Sequence, residues 1–100
     1  MVKTIKVSSR EELEEMTQEK DLSISQVIID RIAETIESED EMIHVMDIQI
    51  DDEEEILEVK LPKSEFKQAL ERNLAIHEYH EDYENCTKIK NLLNQFYNER

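Results

Sequence analysis

None of the 100 residues is glycine, and Pro62 is the only proline. The chain therefore lacks the residue that enters left-handed backbone at no steric cost, and ordinary side chains must make its turns. Type I turns and helix-like corners are favoured over primed hairpin turns. Phosphate-cradling loops need glycine where the backbone approaches the ligand, so nucleotide sites of that kind are excluded. Flexible Gly/Ser linkers are excluded too. The length allows one domain of closely joined parts, expected as a strand-helix-helix over 1–38, a β-hairpin over 42–61 and a helical hairpin over 62–98.

Residues 2–7 (VKTIKV) alternate as a short strand. Ser8 with Glu11, and Ser9 with Glu12, each satisfy a capping box, so a helix is expected from there to about Lys20, with Leu13 and Met16 as a thin apolar stripe. Asp21-Leu22-Ser23 breaks it, and Ser23 with Gln26 makes another box opening a second helix to about Ile36. That helix carries Ile24, Val27, Ile28, Ile29, Ile32, Ala33 and Ile36 around most of its circumference. Such a helix is normally covered on both sides, which makes it the expected centre of the core.

After the acidic residues 37–41, Met42, His44, Met46, Ile48 and Ile50 alternate with their neighbours and predict a strand whose even positions face the core, His44 included. Leu57, Val59 and Leu61 give the partner strand. Between them stand Asp51, Asp52, Glu53, Glu54 and Glu55, five consecutive carboxylates in a hairpin loop. A third helix is expected just after Pro62, with Phe66, Ala69, Leu70, Asn73, Leu74 and His77 on one face. The polar run 78–82 marks a turn, Asp82 can cap the last helix, and Tyr83, Cys86, Ile89, Lys90, Leu93 and Phe96 or Tyr97 continue one stripe. Leu92 falls outside it, so the apolar surface is wider than a two-helix seam requires.

The expected fold class is α+β, a single small domain ordered β-α-α-β-β-α-α, with a small antiparallel sheet packed on helices and a C-terminal helical hairpin. If the first strand pairs with its symmetry mate, an intertwined homodimer results.

With 26 acidic and 12 basic side chains the net charge is −14. The acidity is spread along the chain, 13 acidic to 5 basic side chains up to residue 50 and 13 to 7 beyond it. Such a surface repels phosphate backbones and anionic membranes and attracts basic protein surfaces. The single cysteine, Cys86, excludes an internal disulfide and fits a reducing compartment. Neither a membrane-length apolar run nor a signal-peptide core is present, so a cytoplasmic location is expected.

Two stretches resemble known families. Glu81-Asp82-Tyr83-Glu84-Asn85-Cys86-Thr87-Lys88-Ile89-Lys90-Asn91-Leu92-Leu93 resembles the UVR motif, the helical hairpin through which bacterial excinuclease subunits contact one another. Cys86 and Thr87 take the small positions and Ile89 and Leu93 the aliphatic ones, while Lys90-Asn91 replaces the usual Arg-Asp. The hairpin concerned spans about 62–97, and the resemblance implies an adaptor acting by helix–helix contact. Residues 2–37 more loosely resemble the ribbon-helix-helix regulators, through Thr4-Ile5-Lys6-Val7 and Ser23-Ile24-Ser25-Gln26-Val27-Ile28. That family pairs two strands across a dimer and inserts them into the DNA major groove, which would make Thr4 and Lys6 the base readers. The strong negative charge departs from that plan.

No nucleophile is paired with a base, and neither a catalytic nor a cofactor-binding residue is singled out. His77 with Glu81, and His80 with Glu84, have helix-face spacing for zinc, but a turn at 78–82 would separate them, so no metal site is expected. The carboxylate loop lacks the spaced ligands and glycine of an EF-hand. The expected function is a non-enzymatic acidic regulatory or adaptor protein, for which a phage origin fits, binding a basic surface on a nucleic-acid-handling protein and competing with nucleic acid. Asp51, Asp52, Glu53, Glu54, Glu55, Tyr83, Leu92 and Tyr97 are its expected partner-binding residues. The alternative is a ribbon-helix-helix repressor or antitoxin.

Overall fold

The computed structural model describes residues 2–18 and 21–97. The elements follow the expected order: β1 (Lys3–Val7), α1 (Arg10–Gln18), α2 (Leu22–Thr35), β2 (Met42–Ile50), β3 (Glu55–Pro62), α3 (Phe66–Tyr79) and α4 (Tyr83–Tyr97), with 3-10 turns at Asp51–Glu53 and Lys63–Glu65. The expected end of the first helix, at about Lys20, lies outside the described residues.

The sheet is mixed, which corrects the expected antiparallel one. Its strand order is β1-β2-β3, and β2 and β3 form the antiparallel hairpin. β1 instead runs parallel to β2, with Lys3 opposite Met46 and Val7 opposite Ile50. The chain between them holds two helices, long enough to return it to the starting end of the sheet, as a parallel pair requires. β1 therefore pairs within its own chain.

A second correction concerns which residues of β2 face inward. A bulge between His44 and Met46 shifts the register, so that His44 opposes Lys60 while Met46 opposes Val59. An inserted residue moves everything before it to the other face. Met42 is consequently 54% exposed and Ile43 buried, whereas Met46, Ile48 and Ile50 keep their expected places in the core. His44 is not a core histidine: half-buried, it places Nε2 2.7 Å from Asp47 Oδ1, and its carbonyl accepts from Arg31 Nε at 2.9 Å.

The helix ends show which competing caps prevail. Ser9 Oγ accepts from Glu12 N at 3.1 Å, and the Glu12 carboxylate reaches back to Ser8 N at 2.9 Å. At α2 the cap is Asp21, not Ser23: its carboxylate accepts from Ser23 N at 2.8 Å and Ile24 N at 3.2 Å. A charged acceptor at the helix N-terminus holds two otherwise unpaired donors and meets the positive end of the dipole.

Ile29 and Ile32 of α2 are fully buried and join Val7, the inward residues of β2, Phe66 and Leu70 of α3, and Ile89 and Leu93 of α4 in one core. The opposite sheet face carries the exposed Thr4, Lys6, Ile56, Glu58 and Lys60. The helices therefore cover one side of the sheet.

Candidate functional site

The α3–α4 turn gathers the exposed aromatic side chains. Tyr79 ends α3 and is 66% exposed, and Tyr83 opens α4 and is 68% exposed. Tyr79 meets His80 edge to face, with ring centroids 5.1 Å apart. Glu78, Glu81 and Glu84 are exposed beside them. Aromatic faces amid carboxylates suit arginine and lysine side chains, which bring both a cation and an apolar stem.

The turn is tight and strained. Glu81 adopts φ 58°, a left-handed conformation that costs a side-chain-bearing residue about 1–2 kcal/mol. Backbone donors brace it: Glu81 N to the Glu78 carbonyl at 3.0 Å, Asp82 N to the His77 carbonyl at 2.8 Å and Cys86 N to the Asp82 carbonyl at 3.1 Å.

Below the turn lies a buried polar cluster. Ser25 of α2 donates to Asn73 Oδ1 of α3 at 2.6 Å, and its Oγ is 2.9 Å from His77 Nε2. His77 Nδ1 is 2.8 Å from Asp82 Oδ2, which also accepts from Asn85 Nδ2 at 2.8 Å. Asn73 Nδ2 donates to the Ala69 carbonyl at 2.7 Å. The hydrogen bond from Asn85, then that from His77, holds the Asp82 carboxyl below the usual carboxylate range. Ser25, His77 and Asp82 thus line up as a hydroxyl, an imidazole and a carboxylate. Ser25 is only 1% exposed and His77 fully buried, and the line joins α2 to the α3–α4 hairpin.

At the far end of β2, the carboxylate loop is exposed throughout. Asp51–Glu53 form the 3-10 turn and Glu54 takes φ 49°. Arg10 spans two of the five acids, at 3.0 Å from Glu53 and 3.2 Å from Glu55, and Gln49 Nε2 donates to Asp51 at 3.1 Å. The hydrogen bond to Glu53 is the main reason that Arg10 holds its proton more tightly than usual. At the near end of β2, a shallow pocket of about 460 Å³ is lined by Glu39, Asp40, Glu41, Met42, Pro62, Lys63 and Ser64. The two acidic clusters thus flank the central strand.

The remaining expected contact residues are dispersed. Leu92 and Tyr97 are half-buried and pack against the edge of the core. Thr4 and Lys6 are exposed on β1, opposite Asp47 and Gln49 of β2. The turn at residues 80–82 separates His77 from Glu81 and His80 from Glu84, so neither pair shares a helix. Cys86 of α4 is buried, and burial raises its thiol above the ordinary value. No helix among the described residues is long and apolar enough to cross a membrane.

Sequence reasoning missed the clasp joining Ser25, Asn73, His77 and Asp82, although a signal was present: Asn73 and His77 interrupt an otherwise apolar helix face. It also missed Arg10, whose partners lie 43 and 45 residues away. Comparison of the chain with protein-family models, curated proteins and solved structures gives no match.

Proposed function

We propose that this chain is a non-enzymatic acidic adaptor or regulator that binds a basic surface on a nucleic-acid-handling protein and competes there with nucleic acid. The carrying observation is the placement of its charge: every acidic side chain among the described residues is exposed or half-buried, and none lies in the core. With net charge −14, such a surface attracts a basic partner from a distance and speeds encounter. The two acidic clusters at the ends of β2 supply the field. The exposed Tyr79 and Tyr83 supply contact area that charge alone lacks, as tyrosine does at protein interfaces. The UVR-like reading belongs within this proposal, with the α3–α4 hairpin as the contacting element and Tyr83 at its aromatic position.

A mobility-shift titration on duplex DNA separates this proposal from the repressor alternative. The wild-type protein is expected to give no shift, even at low ionic strength. A specific shift that survives physiological salt and is lost in Lys6→Ala overturns the proposal in favour of groove reading by β1.

A further inference from the structure

We infer that a second copy of this chain docks on the free edge of β3 and joins the two three-stranded sheets into one, about a two-fold axis at Val59. β3 lies at the edge of the sheet, with β2 as its neighbouring strand. An edge strand offers a row of unpaired N–H and C=O groups to any strand that can pair with it. The residues of that row follow from the register. Lys63 N donates to the Glu41 carbonyl at 2.8 Å, so the odd-numbered residues of β3 bond to β2. The even-numbered ones, Ile56, Glu58, Lys60 and Pro62, turn their backbone groups to the free edge. Pro62 stands where the hairpin asks no N–H of it, as proline in an edge strand does.

What selects a second copy is the strand's own sequence. Reading outward from Val59, Glu58 is matched by Lys60, Leu57 by Leu61, Ile56 by Pro62 and Glu55 by Lys63. Each acid on one side of Val59 stands as far from it as a lysine on the other. Two antiparallel copies crossing at Val59 therefore set Glu58 of each against Lys60 of the other. Both residues turn their backbone groups outward, so each such pair exchanges two backbone hydrogen bonds. Opposite charges directly across two strands add to the pairing, and like charges oppose it. Moving the axis to Glu58 or to Lys60 sets like charges face to face, which fixes the register. Within one chain the two side chains are exposed and come only to 3.8 Å, so their charges are available to a mate. On the core side, Leu57, Val59 and Leu61 are half-buried, whereas Met46, Ile48 and Ile50 of β2 are buried. The same three residues of the second copy continue that apolar row. β1, the other edge, carries Lys3 and Lys6 and no acid, so two copies meeting there bring only like charges together. The net charge of −14 on each copy is repulsive, but a screening length of about 8 Å at physiological salt leaves the facing pairs dominant. This interface stands independently of the basic partner proposed above.

The test is sedimentation equilibrium of the full chain over a concentration series at about 0.15 M salt. Wild type, Glu58→Lys, Lys60→Glu and an equimolar mixture of the two variants are compared. The wild type is expected to dimerise. Each variant alone sets like charges across both facing pairs and should associate at least about tenfold more weakly. In the mixture one variant presents lysine at both positions and the other glutamate, so opposite charges face again and a heterodimer should form. Both side chains are exposed, so the substitutions should leave the monomer folded, which circular dichroism checks. Glu58→Pro removes an outward N–H and no bond to β2, and it should also give a folded monomer. A wild type that stays monomeric throughout the series overturns the inference. So does a dimer that Glu58→Pro and the charge variants leave unchanged, or a mixture that associates no better than its components.

Discussion

The β2–β3 turn and the α3–α4 turn each place a glutamate in left-handed backbone, Glu54 at φ 49° and Glu81 at φ 58°. Their surroundings are opposite. Around Glu54 the carboxylates point into water, and the long-range ion pairs with Arg10 are themselves exposed. Beneath Glu81, Asp82 reaches a fully buried histidine, and through it a buried serine on another helix. A chain without glycine accepts the same backbone strain twice. In the first turn little inside the protein depends on the side chains, leaving them available to carry charge. In the second the side chains fix how a hairpin sits on the core.

Substitutions in and under the two turns should separate these roles. The largest effect is expected in the base of the helical hairpin, where Leu93→Ala should cost about 2–5 kcal/mol in a thermal or denaturant melt. Leu92→Glu should cost less and leave a folded chain, because Leu92 is only half-buried and a carboxylate can turn to water. It should nonetheless weaken association with the partner if that face makes contact, since an interface would bury an unpaired charge. Equal losses for the two variants would make both leucines structural. Next in size, Ser25→Ala strips Asn73 and His77 of their shared partner and should cost about 1–3 kcal/mol for a buried group left unpaired. A cost near zero would mean that the clasp repairs itself with water.

Much of this fold is legible in the sequence, and the parts that are not share a cause. Periodicity finds each element because burial acts on one face at a time, and the apolar surround of α2 correctly marks Ile29 and Ile32 as core. It carries no information on whether β1 runs parallel or antiparallel to its neighbour. Nor does it reveal the bulge at His44–Met46, because Met42 and His44 fit an alternating pattern as well as Ile43 and Val45 do. The clasp was half legible, in Asn73 and His77, but its partner Ser25 lies 52 residues from His77 and reads as an ordinary helix-start serine. Arg10 gives no local sign that it will meet Glu53 and Glu55. Contacts between distant segments become readable only once the fold is known.

Smaller effects test the strain common to the turns. Glu81→Gly and Glu54→Gly remove the steric cost of left-handed backbone and should each stabilise by up to about 1 kcal/mol. If only Glu54→Gly stabilises, the helical turn is held by side-chain interactions of Glu81 that the substitution also removes. The smallest stability change is expected from replacing Asp51, Asp52, Glu53, Glu54 and Glu55 by Asn or Gln, within about 0.5 kcal/mol of wild type. That variant should instead slow partner association and flatten its salt dependence, because exposed charge acts mainly on encounter. Unchanged kinetics would make the loop a solvated turn that only discourages strand pairing at the sheet edge.

Competition tests the central claim most directly. Proteins retained on the immobilised chain from a cell lysate at low salt are identified, and duplex DNA is then added at constant ionic strength. The account predicts that a basic, nucleic-acid-handling protein is retained and is released by the DNA in proportion to its concentration. Retained proteins that DNA does not displace, or DNA that binds the immobilised chain itself, would contradict it.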